Sequence, residues 1–225
     1  MNERTNHSRL YHLLVAVLSA GGFLLLIHLL PSVATSDDSQ IVVKAAAEIC
    51  ASLALLYALV RWGGEGRENL GVRRVRPATF GWGLLCFLAT AILSAIVVYS
   101  FAHFGIGQDR GTLAALASHS VPIILLIAAM AAIAEEVIFR SVLISQLEQA
   151  AGNSWLAGAI SLAIFAGAHA AGWGPWQIVF AAVPGLVLTI FFLWKRDLWV
   201  CMIAHFLTDA LGLLGAAAGM AHHHP

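Results

Sequence analysis

What this chain can become is limited first by its long apolar runs. Seven segments, at 10–30, 41–60, 79–104, 120–149, 154–170, 176–194 and 198–220, are apolar over most of their length. Each is near or above the roughly 20 residues that a helix needs to cross a hydrocarbon core about 30 Å thick. A cleaved leader has an apolar region of only about 7–15 residues, so the first run reads as a span rather than a signal peptide. Hydrophobic residues make up 60% of the chain and charged residues 11%. A soluble domain carries roughly 45–50% and about 25%, and could not hide so much apolar surface from water. In lipid every backbone N–H and C=O must be satisfied internally, which leaves helices or a closed barrel. A barrel would show alternating segments of about ten residues rather than continuous runs. The expected fold is therefore all-α: a polytopic membrane helical bundle of about seven transmembrane helices, forming a single integral membrane domain over 1–225.

The connecting segments set the orientation. Five arginines, Arg61, Arg67, Arg73, Arg74 and Arg76, fall between the second and third runs. With alternating spans they share a side with Arg4, Arg9, Lys195 and Arg196. The opposite connections hold Asp37, Asp38 and Arg110. The excess of positive residues on cytoplasmic loops then predicts a cytoplasmic N-terminus and an external C-terminus. Residues 105–118 read as a Gly-rich loop, and Pro184–Gly185 reads as a kink inside the sixth span. The net charge is formally zero, so no basic field calls for nucleic acid. Cys50, Cys86 and Cys201 are far apart in apolar stretches and read as small packing residues. No function attaches to the terminal His222, His223 and His224.

Charged side chains at mid-bilayer cost about 2.5–3.5 kcal/mol each on insertion scales, so each is a functional candidate. Three clusters qualify. In the first, Glu136 and Arg140 stand four apart with the acid first, the favourable order for a helical ion pair. Glu135 is turned about 100° away and has no partner on its own helix. The second is His169, among small residues that let helices approach closely. The third is His205 and Asp209, one turn apart on one face, where a carboxylate can fix the imidazole tautomer. At about 1.5 Å per residue Glu135 and His205 fall at similar depth, while His169 falls nearer the far side. Lys44 and Glu48 read as a local ion pair near the outer end of the second span, its lysine reaching toward the interface. His12, His28, His103 and His119 fall near span ends.

Taken together, Glu135-Glu136-x-x-x-Arg140, Phe165-x-x-x-His169 and His205-x-x-x-Asp209, in that order on separate helices, resemble the signature of the CPBP (CAAX protease and bacteriocin-processing, Abi) family of intramembrane proteases. The resemblance covers about 120–211, the core that carries the motifs. It implies an endopeptidase open to the cytoplasmic side, with Glu135 and His169 activating water and His205 with its partner stabilising the oxyanion. The CAAX endopeptidases of the family have Asn where this chain has Asp209; an ionised Asp cannot donate to an oxyanion, so Asp209 is expected to orient His205 or to stay protonated. Members are often described as metalloproteases. His169, His205 and Glu135 could hold zinc with one position open. No His-Glu-x-x-His pair lies on one helix, and a cofactor-free mechanism is the expectation. The implied partners are the bilayer and a membrane-associated peptide or protein substrate. Two other classes compete: a non-catalytic peptide-binding or immunity protein of the same fold, and a proton-coupled carrier. No internal repeat or pair of broken helices supports the carrier.

Overall fold

A computed structural model describes residues 3–30 and 32–221. Its elements are α1 (Glu3–Leu29), α2 (Asp38–Arg61), α3 (Pro77–Ala102), α4 (Arg110–Ala117), α5 (Val121–Glu135), a π-helical segment (Glu136–Ile144), α6 (Ser145–Ala151), α7 (Ser154–Trp173), α8 (Gln177–Lys195) and α9 (Leu198–Ala221), plus one 3-10 turn (Val33–Thr35). Every element among the described residues is helical, and seven candidate spans emerge, with α5, the π segment and α6 forming one rod over Val121–Ala151. The terminal histidines lie outside the described residues.

Local chemistry marks the ends of these helices. Asp37 caps α2 by accepting from Gln40 N at 2.9 Å, while Gln40 Oε1 accepts from Asp37 N at 3.2 Å. The Ser39 hydroxyl and the Gln40 N–H hold the Asp37 carboxyl below its ordinary pKa. Asn153 caps α7 by accepting from Leu156 N at 3.0 Å, after Gly152 ends α6 in the left-handed region at φ 72°. Proline opens both α3 and α5, where its missing N–H is harmless.

The rod is central. α5 packs against α2 and α9, and the π segment against α7 and α1; α3 closes the other side against α8 and α9. Outside, large apolar side chains such as Phe80, Leu84, Leu88 and Ile92 stay exposed, as a lipid-facing surface requires.

The two ends of the bundle differ in chemistry. At one end Glu65 accepts from Gln146 Nε2 at 3.0 Å and Gln149 Nε2 at 2.9 Å. His12 Nδ1 donates to Gln146 Oε1 at 2.8 Å. Ser141 and Ser145 donate to the Leu70 and Asn69 carbonyls at 2.6 and 2.7 Å. Leu198 N donates to Gly71 O at 2.9 Å. Gly71 has φ 72°, and a Cβ there would stand 2.6 Å from the Phe192 ring, so only glycine lets the arginine loop lie against α8. At the other end Ile41, Leu116, Ile124 and Leu213 form an apolar cluster with Trp173, and His119 meets Asp38 at 3.0 Å. The N-terminal part of α1, the arginine loop, α6 and the 195–197 link thus gather at one end, as seven alternating spans demand.

Two expectations need correction. Part of the Gly-rich loop is helix α4, started by Asp109, which accepts from Gly111 N at 3.1 Å and Thr112 N at 3.3 Å. Lys44 does not reach for the interface: it is 6% exposed, and its Nζ stands 2.7 Å from Glu48 inside the bundle. The α2–α5 contact covers the face that the lysine would use to leave. Helix α8 runs through Pro184 without a break. Gly185 brings it close to α7: a Cβ there would lie 2.9 Å from Leu162 and 3.0 Å from Phe165.

Candidate active site

The π-helical turn comes where the paired glutamates stand. Its i→i+5 bonding widens the turn and narrows the angle between consecutive side chains, and such turns recur at functional sites. Glu135 ends α5 and Glu136 opens the π segment. Both carboxylates therefore reach the same neighbour on α9. Glu136 Oε1 accepts from His205 Nδ1 at 2.8 Å, and Glu135 Oε2 lies 4.0 Å from His205 Nε2. Asp209 Oδ2, one turn along α9, lies 3.3 Å from the same Nε2. Three carboxylates surround one imidazole that is 8% exposed.

This arrangement corrects the simple division of the two glutamates. Glu136 does pair with Arg140, Nη1 to Oε1 at 2.8 Å. It also holds His205 through the same oxygen and is itself fully buried. The His205 ring stands between the two side chains and reaches both carboxylates.

The arginine is held from three sides. Besides Glu136, its Nη2 donates to Gly185 O at 3.2 Å, and its guanidinium lies 4.3 Å from the centre of the Phe165 ring. The Gly185 carbonyl also accepts from Thr189 Oγ1 at 2.7 Å. A planar, permanently charged group with several fixed donors suits such a position.

Hydrogen-bond chemistry sets the proton positions. A carboxylate paired with a guanidinium only accepts, so His205 Nδ1 carries a proton. One further proton is then shared along the line from Nε2 to Asp209 Oδ2. On α7, His169 Nδ1 stands 2.8 Å from the Phe165 carbonyl, which can only accept. His169 Nδ1 is thus protonated, and in the neutral ring Nε2 keeps its lone pair. Glu135 Oε2 has no hydrogen-bond partner, and its side chain is 23% exposed. Glu136 Oε2 also lacks a partner, but its side chain has no exposure, so Glu135 is the one of the two that a water can reach.

The depth mismatch of His169 largely closes. Ser161 Oγ donates to Phe139 O at 2.6 Å, and the Phe139 and Phe165 rings meet at 5.2 Å. One turn outward from Phe139 is Glu135, and one turn outward from Phe165 on the antiparallel α7 is His169. The charges facing Glu135 are those of His169, His205, Asp209 and Glu136. His169 itself makes no ion pair among the described residues. No group of three His, Cys, Asp or Glu side chains there is disposed to hold a metal ion.

Residues 117–211 match the family model described as Rce1-like, the type II CAAX prenyl endopeptidases. Over this segment the chain is similar to that family. No curated protein and no solved structure matches it. The match is consistent with the CPBP resemblance and takes in all three motifs. It makes the chain similar to a family of membrane-embedded proteases, which are hydrolases acting on membrane-associated substrates. Two positions beyond the expected site residues complete the geometry, Phe165 and Gly185. Phe165 already stood in the motif as the residue one turn before His169. Gly185 had only its proline neighbour to mark it, and nothing in the sequence announced its carbonyl as an arginine acceptor.

Proposed function

We propose that the chain is an intramembrane endopeptidase that hydrolyses a peptide bond of a membrane-associated protein or peptide, using its 120–211 core. The observation that carries this reading is the convergence of Glu135, Glu136 and Asp209 on His205, with one Glu135 oxygen left without a partner. In this reading a water lies between that oxygen and His169 Nε2. Glu135 takes one proton from it as the oxygen attacks the scissile carbonyl carbon. Charge develops on the carbonyl oxygen, which displaces Asp209 from His205 Nε2–H and accepts its hydrogen bond. Such a donor, fixed in place before charge appears, is the largest single contribution in many hydrolases. Glu136 holds the other ring nitrogen, so the imidazole cannot turn away. Glu135 then returns its proton to the leaving nitrogen, the C–N bond breaks, and a carboxylic acid and an amine form; the acid's proton passes to the amine, so a carboxylate and an ammonium leave.

The orientation belongs to the same proposal: N-terminus in the cytoplasm, C-terminus outside, and the site reached from the cytoplasmic side. Its support is the gathering of the arginine loop and the Lys195–Arg196 link at one end. Reporter fusions after Asp37 and after Gly71 are expected on opposite sides, the second inside; the same side for both overturns it.

The test of the chemistry is Glu135→Gln in purified protein, with cleavage of a lipidated peptide and the melting temperature measured together. Cleavage is expected to vanish, melting to stay near wild type, and a chelator to leave the wild-type rate intact. Near wild-type cleavage by the variant sinks the role of Glu135. Activity lost to chelation and restored by zinc moves the mechanism to a metal held by His169, His205 and Glu135.

A further inference from the structure

The proteolytic reading uses the arginine loop only as a topology signal. The structure gives it a shape. Where the loop meets the start of α3 and the α8–α9 link lies a cavity of about 650 Å³. Arg67, Arg73, Arg74, Arg76 and Lys195 line it, against the carboxylates of Glu68 and Asp197. None of the five cations pairs with a carboxylate among the described residues. Asp197 is occupied: it accepts from Thr79 Oγ1 at 3.3 Å and from Trp199 N at 3.1 Å. The N-terminus of α3 opens on the same cavity through Ala78 and Thr79 and adds its partial positive charge.

Lys195 is fixed rather than free. Its Nζ stands 3.3 Å from the centre of the Trp82 ring and 3.4 Å from that of Trp194. Two indoles at this level also mark the bilayer interface, where aromatic rings with one polar edge collect. From the cavity mouth the face of α3 that carries Ala78 and Trp82 continues toward the bilayer centre as an exposed apolar row, Leu85, Ile92 and Ile96. The cavity is thus a cationic pocket at headgroup depth, continuous with an apolar track. A soluble acidic peptide would use the first feature and leave the second empty; an anionic phospholipid fills both.

We propose that this pocket binds the phosphodiester headgroup of an anionic phospholipid, with one acyl chain laid along Leu85, Ile92 and Ile96. Basic pockets between membrane helices take anionic headgroups, and each nearby Lys or Arg contributes on the order of 1 kcal/mol, about a fivefold factor in affinity. The site is remote from His205 in chemistry and in residues, so it stands or falls independently of the proteolytic reading.

The experiment is native mass spectrometry of the full chain released from phosphatidylcholine nanodiscs with and without phosphatidylglycerol. Phosphatidylglycerol is expected to stay bound to the wild type while phosphatidylcholine does not. Arg74→Gln and Lys195→Gln, tested separately, should each weaken retention about fivefold. Arg61→Gln removes the same charge from the same loop outside the pocket and should leave retention unchanged. Equal loss in Arg61→Gln would reduce the effect to diffuse surface charge and overturn the pocket. Equal retention of phosphatidylcholine overturns the headgroup selectivity. Displacement by inorganic phosphate or by polyglutamate at matched charge reassigns the site to a soluble anion or an acidic peptide and overturns the lipid.

Discussion

Two buried ion pairs of a lysine or arginine with a glutamate sit in this bundle among the described residues, and they have almost nothing else in common. Lys44–Glu48 on α2 and Glu136–Arg140 on the π segment are both spaced four apart, buried and tight, at 2.7 and 2.8 Å. The first is self-contained: lysine and glutamate meet each other, and no other side chain joins them among the described residues. The second is a hub. Its carboxylate also holds His205, and its guanidinium also grips Gly185 O and lies over Phe165, so one pair ties together the π segment, α7, α8 and α9. A charge buried in lipid therefore does not mark a site by itself. What marks it is the number of separate helices that the pair joins.

That contrast can be broken by mutation. The largest effect is expected from Glu136→Gln, which leaves a buried guanidinium without its anion. Removing one partner of such a pair costs about 3–5 kcal/mol, and here it also releases His205. Melting temperature and cleavage should fall together, and restoring neutrality with Arg140→Gln should recover stability without recovering cleavage. A fully stable but inactive Glu136→Gln would mean that Glu136, rather than Glu135, handles the proton.

The converse experiment removes the self-contained pair whole. Replacing a buried ion pair with apolar residues of similar size ranges from neutral to about 1–4 kcal/mol more stable. Lys44→Met with Glu48→Met should accordingly melt at or above the wild-type temperature and cleave at the wild-type rate. Loss of cleavage in this double variant would show that the α2 pair reaches the site, and the contrast would fail.

The smallest effect concerns a charge whose partners are backbone groups in water. The Thr112 hydroxyl and the Gly111 and Thr112 N–H groups lower the Asp109 pKa. A depressed carboxyl stabilises α4 above its unfolded pKa and loses that contribution as pH falls through the folded value. Amide exchange at Gly111 and Thr112 should quicken on acidification below the ordinary carboxylate range. Exchange that ignores pH there, once corrected for its intrinsic rate, would remove the cap from the account of α4.

The apolar runs and the three motifs were legible because lipid permits so few solutions: a run of twenty becomes a helix, and a lone charge inside it stands out. The partnership of Glu136 with His205 was not, because Arg140 four residues on already accounted for its charge and nothing in the sequence sets which side of the rod α9 takes. Lys44 was misplaced for a different reason. The composition of α2 says that it spans, but which of its faces meets α5 is decided by α5. Helix α4 was hidden by its glycine-rich approach, although Asp109, with Thr112 three residues on and Leu113 and Leu116 after it, is a helix start in retrospect.

Helix α9 follows the six other candidate spans in chain order, and it brings both His205 and Asp209. It also brings the Leu198 N–H that fastens the arginine loop through Gly71. While the first six spans are being inserted, Glu135 and Glu136 have no imidazole between them and the loop has no clasp. The polar centre is therefore put together in a single event, when α9 joins the spans that precede it.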